Sequence, residues 1–235
     1  MSEHVTGRIK EVGIIPTIRT SDALGAVRAA EAICIGGIAI LEISMALPAA
    51  MVCIEAVVKA HGNNMIVGAG TVVDRETVRR AAEAGAQFIV TPGFSTETVT
   101  AAKECGVTIF AGALTPTEIQ TAALSKPDAV KLFPCNAVGG ARYVRAMKGQ
   151  YPNIDFIASG GVTVDNCSEY FHAGAFAIGV GSDIADEESI SIGNQRLFIE
   201  RSRRFRKAVS EAQARWMYGV DEGVNGPRRA RALRA

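Results

Sequence analysis

The sequence predicts a single α/β domain of the (β/α)8 class, a TIM barrel. Short apolar runs of strand character alternate with longer Ala-rich stretches of helical period from Ile14 to about Gly181, and eight such runs occur in series. Glycine stands repeatedly where a helix ends and the next strand begins. An open doubly wound sheet would normally bring edge strands or a nucleotide-binding glycine fingerprint, and neither is legible, so a closed barrel fits better.

The strands are predicted over Val12–Ile18, Ile38–Ile43, Met65–Ala69, Gln87–Thr91, Val107–Ala111, Ala129–Phe133, Phe156–Ser159 and Ala175–Val180. Between them, Ser21 is the expected cap of a helix running to Ile35, Asp74 of one to Ala84, Ser95 of one to Cys105 and Thr163 of one to Ala173. Gly36, Gly85, Gly106 and Gly174 are the expected left-handed residues that close helices. The barrel is assigned to residues 1–190. A C-terminal helix over 191–218 reads as an appendage with Leu197, Ile199 and Phe205 on its apolar stripe, and residues 219–235 read as a flexible basic tail.

With 25 basic and 24 acidic residues the net charge is +1, which gives the body of the chain no electrostatic footprint for nucleic acid or an anionic membrane. The expected partner is a small molecule. Five scattered cysteines without a Cys-x-x-Cys pair point to a reducing compartment, and no apolar stretch is long enough to span a bilayer, so a cytoplasmic location is expected. No metal-ligand spacing and no nucleotide or hydrolase motif is present, so neither metal nor cofactor is expected. His4, His61 and His172 read as solvent or helix-end residues.

Strand alternation selects the candidate chemistry. In Val130-Lys131-Leu132-Phe133, Lys131 and Phe133 share one face, and Lys131 is expected inside the barrel. Apolar walls favour the neutral amine that attacks a carbonyl carbon; the alternative is a lysine that snorkels to solvent or pairs with an acid. In Leu41-Glu42-Ile43-Ser44, Glu42 and Ser44 turn inward at the end of the second strand. Glu42 then serves either as a general acid/base beside an imine-forming amine or as a structural ion-pair partner. Gly68-Ala69-Gly70-Thr71 and Thr91-Pro92-Gly93-Phe94 follow the third and fourth strands, where glycine lets backbone approach a ligand and Thr71 can hydrogen-bond a carboxylate, or where both are plain turns. Ser159-Gly160-Gly161-Val162-Thr163 and Gly179-Val180-Gly181-Ser182 suit a phosphate after strands seven and eight.

Taken in order, IIPTIR at Ile14–Arg19, LEIS at Leu41–Ser44, VGAGTV at Val67–Val72, TPGF at Thr91–Phe94, VKLFP at Val130–Pro134, SGGVT and GVGS resemble the 2-keto-3-deoxy-6-phosphogluconate and 4-hydroxy-2-oxoglutarate aldolase family, over about Ile14 to Asp183. The resemblance implies a class I aldolase acting on a 2-keto acid. Lys131 would form the Schiff base, Glu42 move protons, Phe133 pack beside the imine, and Thr71 and Pro92 shape the pyruvate pocket. It also implies that Arg19 holds an anionic end of the substrate, that Gly160, Gly161 and Ser182 hold the phosphate, and that the protein is a homotrimer. One departure is Ala46, where gluconate-type members carry an Arg for the pyruvate carboxylate; 6-phosphogalactonate members lack that Arg too. Two other readings remain open: a phosphate-binding barrel isomerase or synthase of the thiamin-phosphate or tryptophan-pathway kind, and a barrel that binds a phosphometabolite without turnover.

Overall fold

A computed structural model describes residues 2–218. Among these, eight parallel strands close into a barrel in sequence order: β1 (Ile14–Ile18), β2 (Ile40–Ser44), β3 (Ile66–Gly70), β4 (Phe88–Val90), β5 (Thr108–Ala113), β6 (Ala129–Leu132), β7 (Phe156–Ser159) and β8 (Ala175–Val180). The predicted class is therefore observed, and β8 returns to pair with β1 through Ile14↔Ile178 and Pro16↔Val180. Strands in a closed parallel barrel are covered on both sides, and the residues of β1, β2 and β5 to β7 are buried throughout.

The helices are α1 (Ser2–Val12), α2 (Ala23–Ile35), α3 (Ala50–His61), α4 (Arg75–Glu83), α5 (Thr96–Glu104), α6 (Pro116–Leu124), α7 (Ala141–Gln150), α8 (Cys167–His172), α9 (Glu187–Ser191) and α10 (Gln195–Tyr218). Asp74 and Ser95 cap α4 and α5 as expected, their side chains accepting from the amides of Thr77 and Thr98. Two caps are corrected. Asp22, not Ser21, caps α2 by accepting from the Leu24 amide at 3.0 Å. The helix expected from Thr163 starts only at Cys167, because Asn166 Oδ1 accepts the Thr163 amide at 2.9 Å and holds residues 163–166 in a turn. Likewise Gly36 is right-handed, and the left-handed turn falls one residue later, at Gly37 (φ 94°).

The N-terminal residues form α1, which the sequence reading passed over; Val5, Ile9 and Val12 are buried, and the helix lies against β5 and β8. The C-terminal helix is present but is no appendage. α10 packs against α2 on one side and α8 on the other, filling the eighth position of the outer ring. Its buried residues are Phe198, Ser202, Phe205, Val209 and Ala212, spaced four, three, four and three apart along one helical face. Leu197 and Ile199, expected on that stripe, are only half-buried. The expected flexible tail, 219–235, lies outside the described residues.

Candidate active site

β2 and β6 stand opposite one another in the eight-strand barrel, and each carries one inward-facing ionisable residue, Glu42 and Lys131. Glu42 is 3% exposed and Lys131 9%. Its neighbours fix the direction of Glu42. A Cβ on Gly70 would lie 1.9 Å from Glu42 Oε1, so the carboxylate occupies the space left by the missing side chain at the end of β3. A Cβ on Gly68 would meet the Phe88 ring at 2.4 Å, and Phe88 packs at 5.8 Å from Phe110. The two glycines expected to admit a ligand therefore make room for protein side chains. Below the carboxylate lies an aromatic floor.

The amine of Lys131 sits 5.2 Å from the centroid of the Phe133 ring. Among the described residues, no ion pair holds Lys131 or Glu42. β6 pairs its Lys131 with Gly112 of β5, and Gly112 has no room for a side chain because the Thr91–Gly93 turn folds over it, with the Thr91 carbonyl oxygen 2.5 Å from where its Cβ would be. Thr91 Oγ1 accepts the Gly112 amide at 2.8 Å and pins that turn. Pro92 is thereby brought to the strand that neighbours Lys131. Behind Lys131, burial pushes the Cys135 thiol up to about 11, and its sulfur lies 3.1 Å from the Leu132 carbonyl, so Cys135 is a packed thiol and not a nucleophile.

Thr71 follows β3 with φ 60°, an uncommon conformation for a branched residue, and its hydroxyl is 3.0 Å from that of Ser44. Strain of this kind concentrates where a side chain must be aimed. Ser44 also accepts the Ala46 amide at 3.4 Å, and Ala46 itself is exposed. The glycine-rich loops meet at the same end of the barrel: Gly160 (φ 96°) leaves space filled by Pro134, and Gly161 (φ 69°) space filled by Asn136. Arg19, exposed after β1, reaches to 3.5 Å from a Cβ position on Gly181, so it stands beside the loop that carries Ser182. No carboxylate pairs with Arg19 among the described residues.

The sequence reading missed the contribution of α10. A cavity of about 290 Å3 beside Ser182 is lined by Val164, Asp183, Arg201, Arg204 and Phe205, three of them from α10. Arg201 donates to Asp186 at 2.7 Å and to the Ser182 carbonyl at 3.3 Å, and so holds the loop after β8. The signal was the cluster of arginines at Arg201, Arg203 and Arg204 in the sequence. Among the described residues, no three His, Cys, Asp or Glu side chains gather where they would hold a metal ion.

A family model for KDPG and KHG aldolase matches residues 5–198. The chain belongs to the KDPG and KHG aldolase family. A 2-dehydro-3-deoxy-6-phosphogalactonate aldolase of Escherichia coli K12 is 36% identical over 174 residues, 74% of this chain and 83% of that one. The native KDPGal structure superposes with a TM-score of 0.80 at 32% identity, covering 86% of this chain and 96% of the other. KDPG aldolase from Legionella pneumophila, solved with pyruvate captured at low pH as a covalent carbinolamine, superposes with a TM-score of 0.79 at 28% identity, covering 84% and 96%. Family membership makes the protein an aldolase by descent, and most of α10 lies beyond the residues that the family model matches.

Proposed function

We propose that this aldolase cleaves a 2-keto-3-deoxy-6-phospho-sugar acid to pyruvate and glyceraldehyde 3-phosphate through a Schiff base on Lys131. The observation that carries the reading is a buried amine, free of ion pairs among the described residues, facing a buried carboxylate across an apolar barrel. A lysine amine is the nucleophile that condenses with a ketone. The Lys131 nitrogen adds to the C2 ketone, and loss of water with uptake of one proton gives an iminium. Glu42 takes the proton of the C4 hydroxyl, the C3–C4 bond breaks, the aldehyde departs, and the bonding pair passes into an enamine. A proton returned from Glu42 to C3 and hydrolysis of the iminium release pyruvate and restore the amine.

Thr71, Pro92 and Phe133 are proposed to form the pyruvate end, with Phe133 covering the imine. Gly160, Gly161, Ser182 and Arg19 are proposed to hold the phosphate, since backbone N–H groups of a glycine loop and a guanidinium are complementary to a dianion. Without an arginine at Ala46, the carboxylate end relies on Thr71 and backbone groups. A pyruvate-release assay over both phosphorylated sugar-acid epimers, their unphosphorylated forms and 4-hydroxy-2-oxoglutarate tests this reading. Charge-assisted bonds of about 1.5 to 3 kcal/mol each predict a preference for phosphorylated acids of at least about a hundredfold in kcat/KM. Equal values would move the substrate to 4-hydroxy-2-oxoglutarate, the second substrate class in the family's name. The protein is further proposed to be a cytoplasmic homotrimer.

A further inference from the structure

The loop after β6 ends in two left-handed glycines, Gly139 (φ 107°) and Gly140 (φ 62°), and α7 begins immediately afterwards with no side chain capping its first turn. A helix start leaves backbone N–H groups unpaired, and their partial charge favours an anion. Here the start opens onto a cavity of about 350 Å3 whose lining includes Asn136, Gly140, Arg142, Gly161, Glu169 and Tyr170.

A bare helix start is common; Tyr170 makes this one different. Tyr170 is 3% exposed, lines the cavity, and has no hydrogen-bond partner for its hydroxyl among the described residues. That oxygen lies 3.3 Å from where a Cβ on Gly140 would be, which puts it against the helix start itself. The ring is packed away while the hydroxyl opens onto the cavity, so its O–H is free to donate to a group bound there. Burial, then the charges of Cys135 and Glu169, raise the Tyr170 pKa, so the group stays a neutral O–H donor. Arg142, exposed on the first turn of α7, adds a cation, while Glu169, the acid of the lining, is also exposed.

We infer that this cavity is a second oxyanion site, distinct from the Arg19 and Ser182 side of the barrel mouth, that binds a phosphate group through the first-turn amides of α7, the Tyr170 hydroxyl and the Arg142 guanidinium. Gly161 borders this cavity, whereas Ser182 borders the separate cavity beside α10. It does not depend on the Schiff-base reading, because the groups that form it are not those that would carry the cleavage.

The test titrates the full chain with inorganic phosphate and with glycerol 3-phosphate, followed by calorimetry, in the wild type and in Tyr170→Phe, Arg142→Gln and Ser182→Ala. Tyr170→Phe keeps the packed ring, and Arg142→Gln changes an exposed position, so both variants should melt with the wild type. The expected result is a phosphate site weakened about tenfold or more by each of the first two changes and kept by the third, while in Tyr170→Phe and Arg142→Gln the KM for phosphorylated keto acid stays within about twofold of the wild type. Tighter binding of glycerol 3-phosphate identifies a phosphate ester as the ligand, and tighter binding of inorganic phosphate identifies the free anion. Unchanged phosphate affinity in both Tyr170→Phe and Arg142→Gln would overturn the inference. So would a KM that rises in step with the lost affinity, which would make the cavity part of the substrate site.

Discussion

Gly70 and Glu42 share one space, and that dependence is open to test. Gly70→Ala puts a methyl 1.9 Å from Glu42 Oε1, so the carboxylate must move. Overpacking of this kind costs about 1 to 3 kcal/mol, and the expected result is a lowered kcat along with a lowered Tm; an unchanged kcat would show that the position of Glu42 does not matter to turnover. Glu42→Gln removes the proton acceptor and keeps the shape. It should still form the imine with pyruvate while turnover falls about a hundredfold to ten-thousandfold. A variant that fails to fold, with any soluble fraction fully active, would instead assign Glu42 a structural role. The inward placement of Glu42 and Lys131 was legible in the sequence because strand alternation leaves two choices and the apolar neighbours decide between them. What filled the space at Gly68 and Gly70 was not legible, since a glycine shows that room is needed and is silent about which atom uses it.

Among the elements, α10 carries the largest correction. Its phase is off by one residue in the sequence reading because Leu197, Phe198 and Ile199 are consecutive apolar residues, and a run of three on a helix does not say which faces inward. The close approach of α2 settles it: a Cβ on Gly36 would lie 2.3 Å from Ser202 Cβ. Phe205, 2% exposed, should then behave as core, and Phe205→Ala should cost about 3 to 5 kcal/mol in urea unfolding; a cost near zero would return α10 to the status of an appendage. Asp186 joins this helix to the loop after β8. The Arg201 guanidinium, then the Ser189 amide, lower its pKa to about 2 from an ordinary 3.8. A depressed carboxylate stabilises the fold fully above its unfolded pKa and loses that contribution as pH falls through the folded one. Asp186→Asn should therefore lower Tm at pH 6, and the difference from wild type should close between about pH 4 and pH 2. A difference that persists at pH 2 would exclude the ion pair as its source.

At the scale of the whole molecule, the barrel was readable because it repeats: each βα unit restates the same alternation, cap and closing glycine, so errors of one to three residues at Gly36, Ser21 or Thr163 leave the topology intact. The N-terminal helix α1 has no such repetition and was passed over. Subunit assembly is a property of surfaces that the repeat does not encode; light scattering that gives three times the chain mass of 24.7 kDa would support the trimer, and a monomer mass would contradict it. The cleavage chemistry rests on one nitrogen atom. Incubation with pyruvate and sodium borohydride, followed by peptide mass spectrometry, reads it directly. The expected result is a stable reduced adduct on Lys131, complete loss of activity on labelling, and in Lys131→Ala both no adduct and at least about a thousandfold lower turnover. An adduct on another lysine, or undiminished activity in Lys131→Ala, would contradict the Schiff-base assignment.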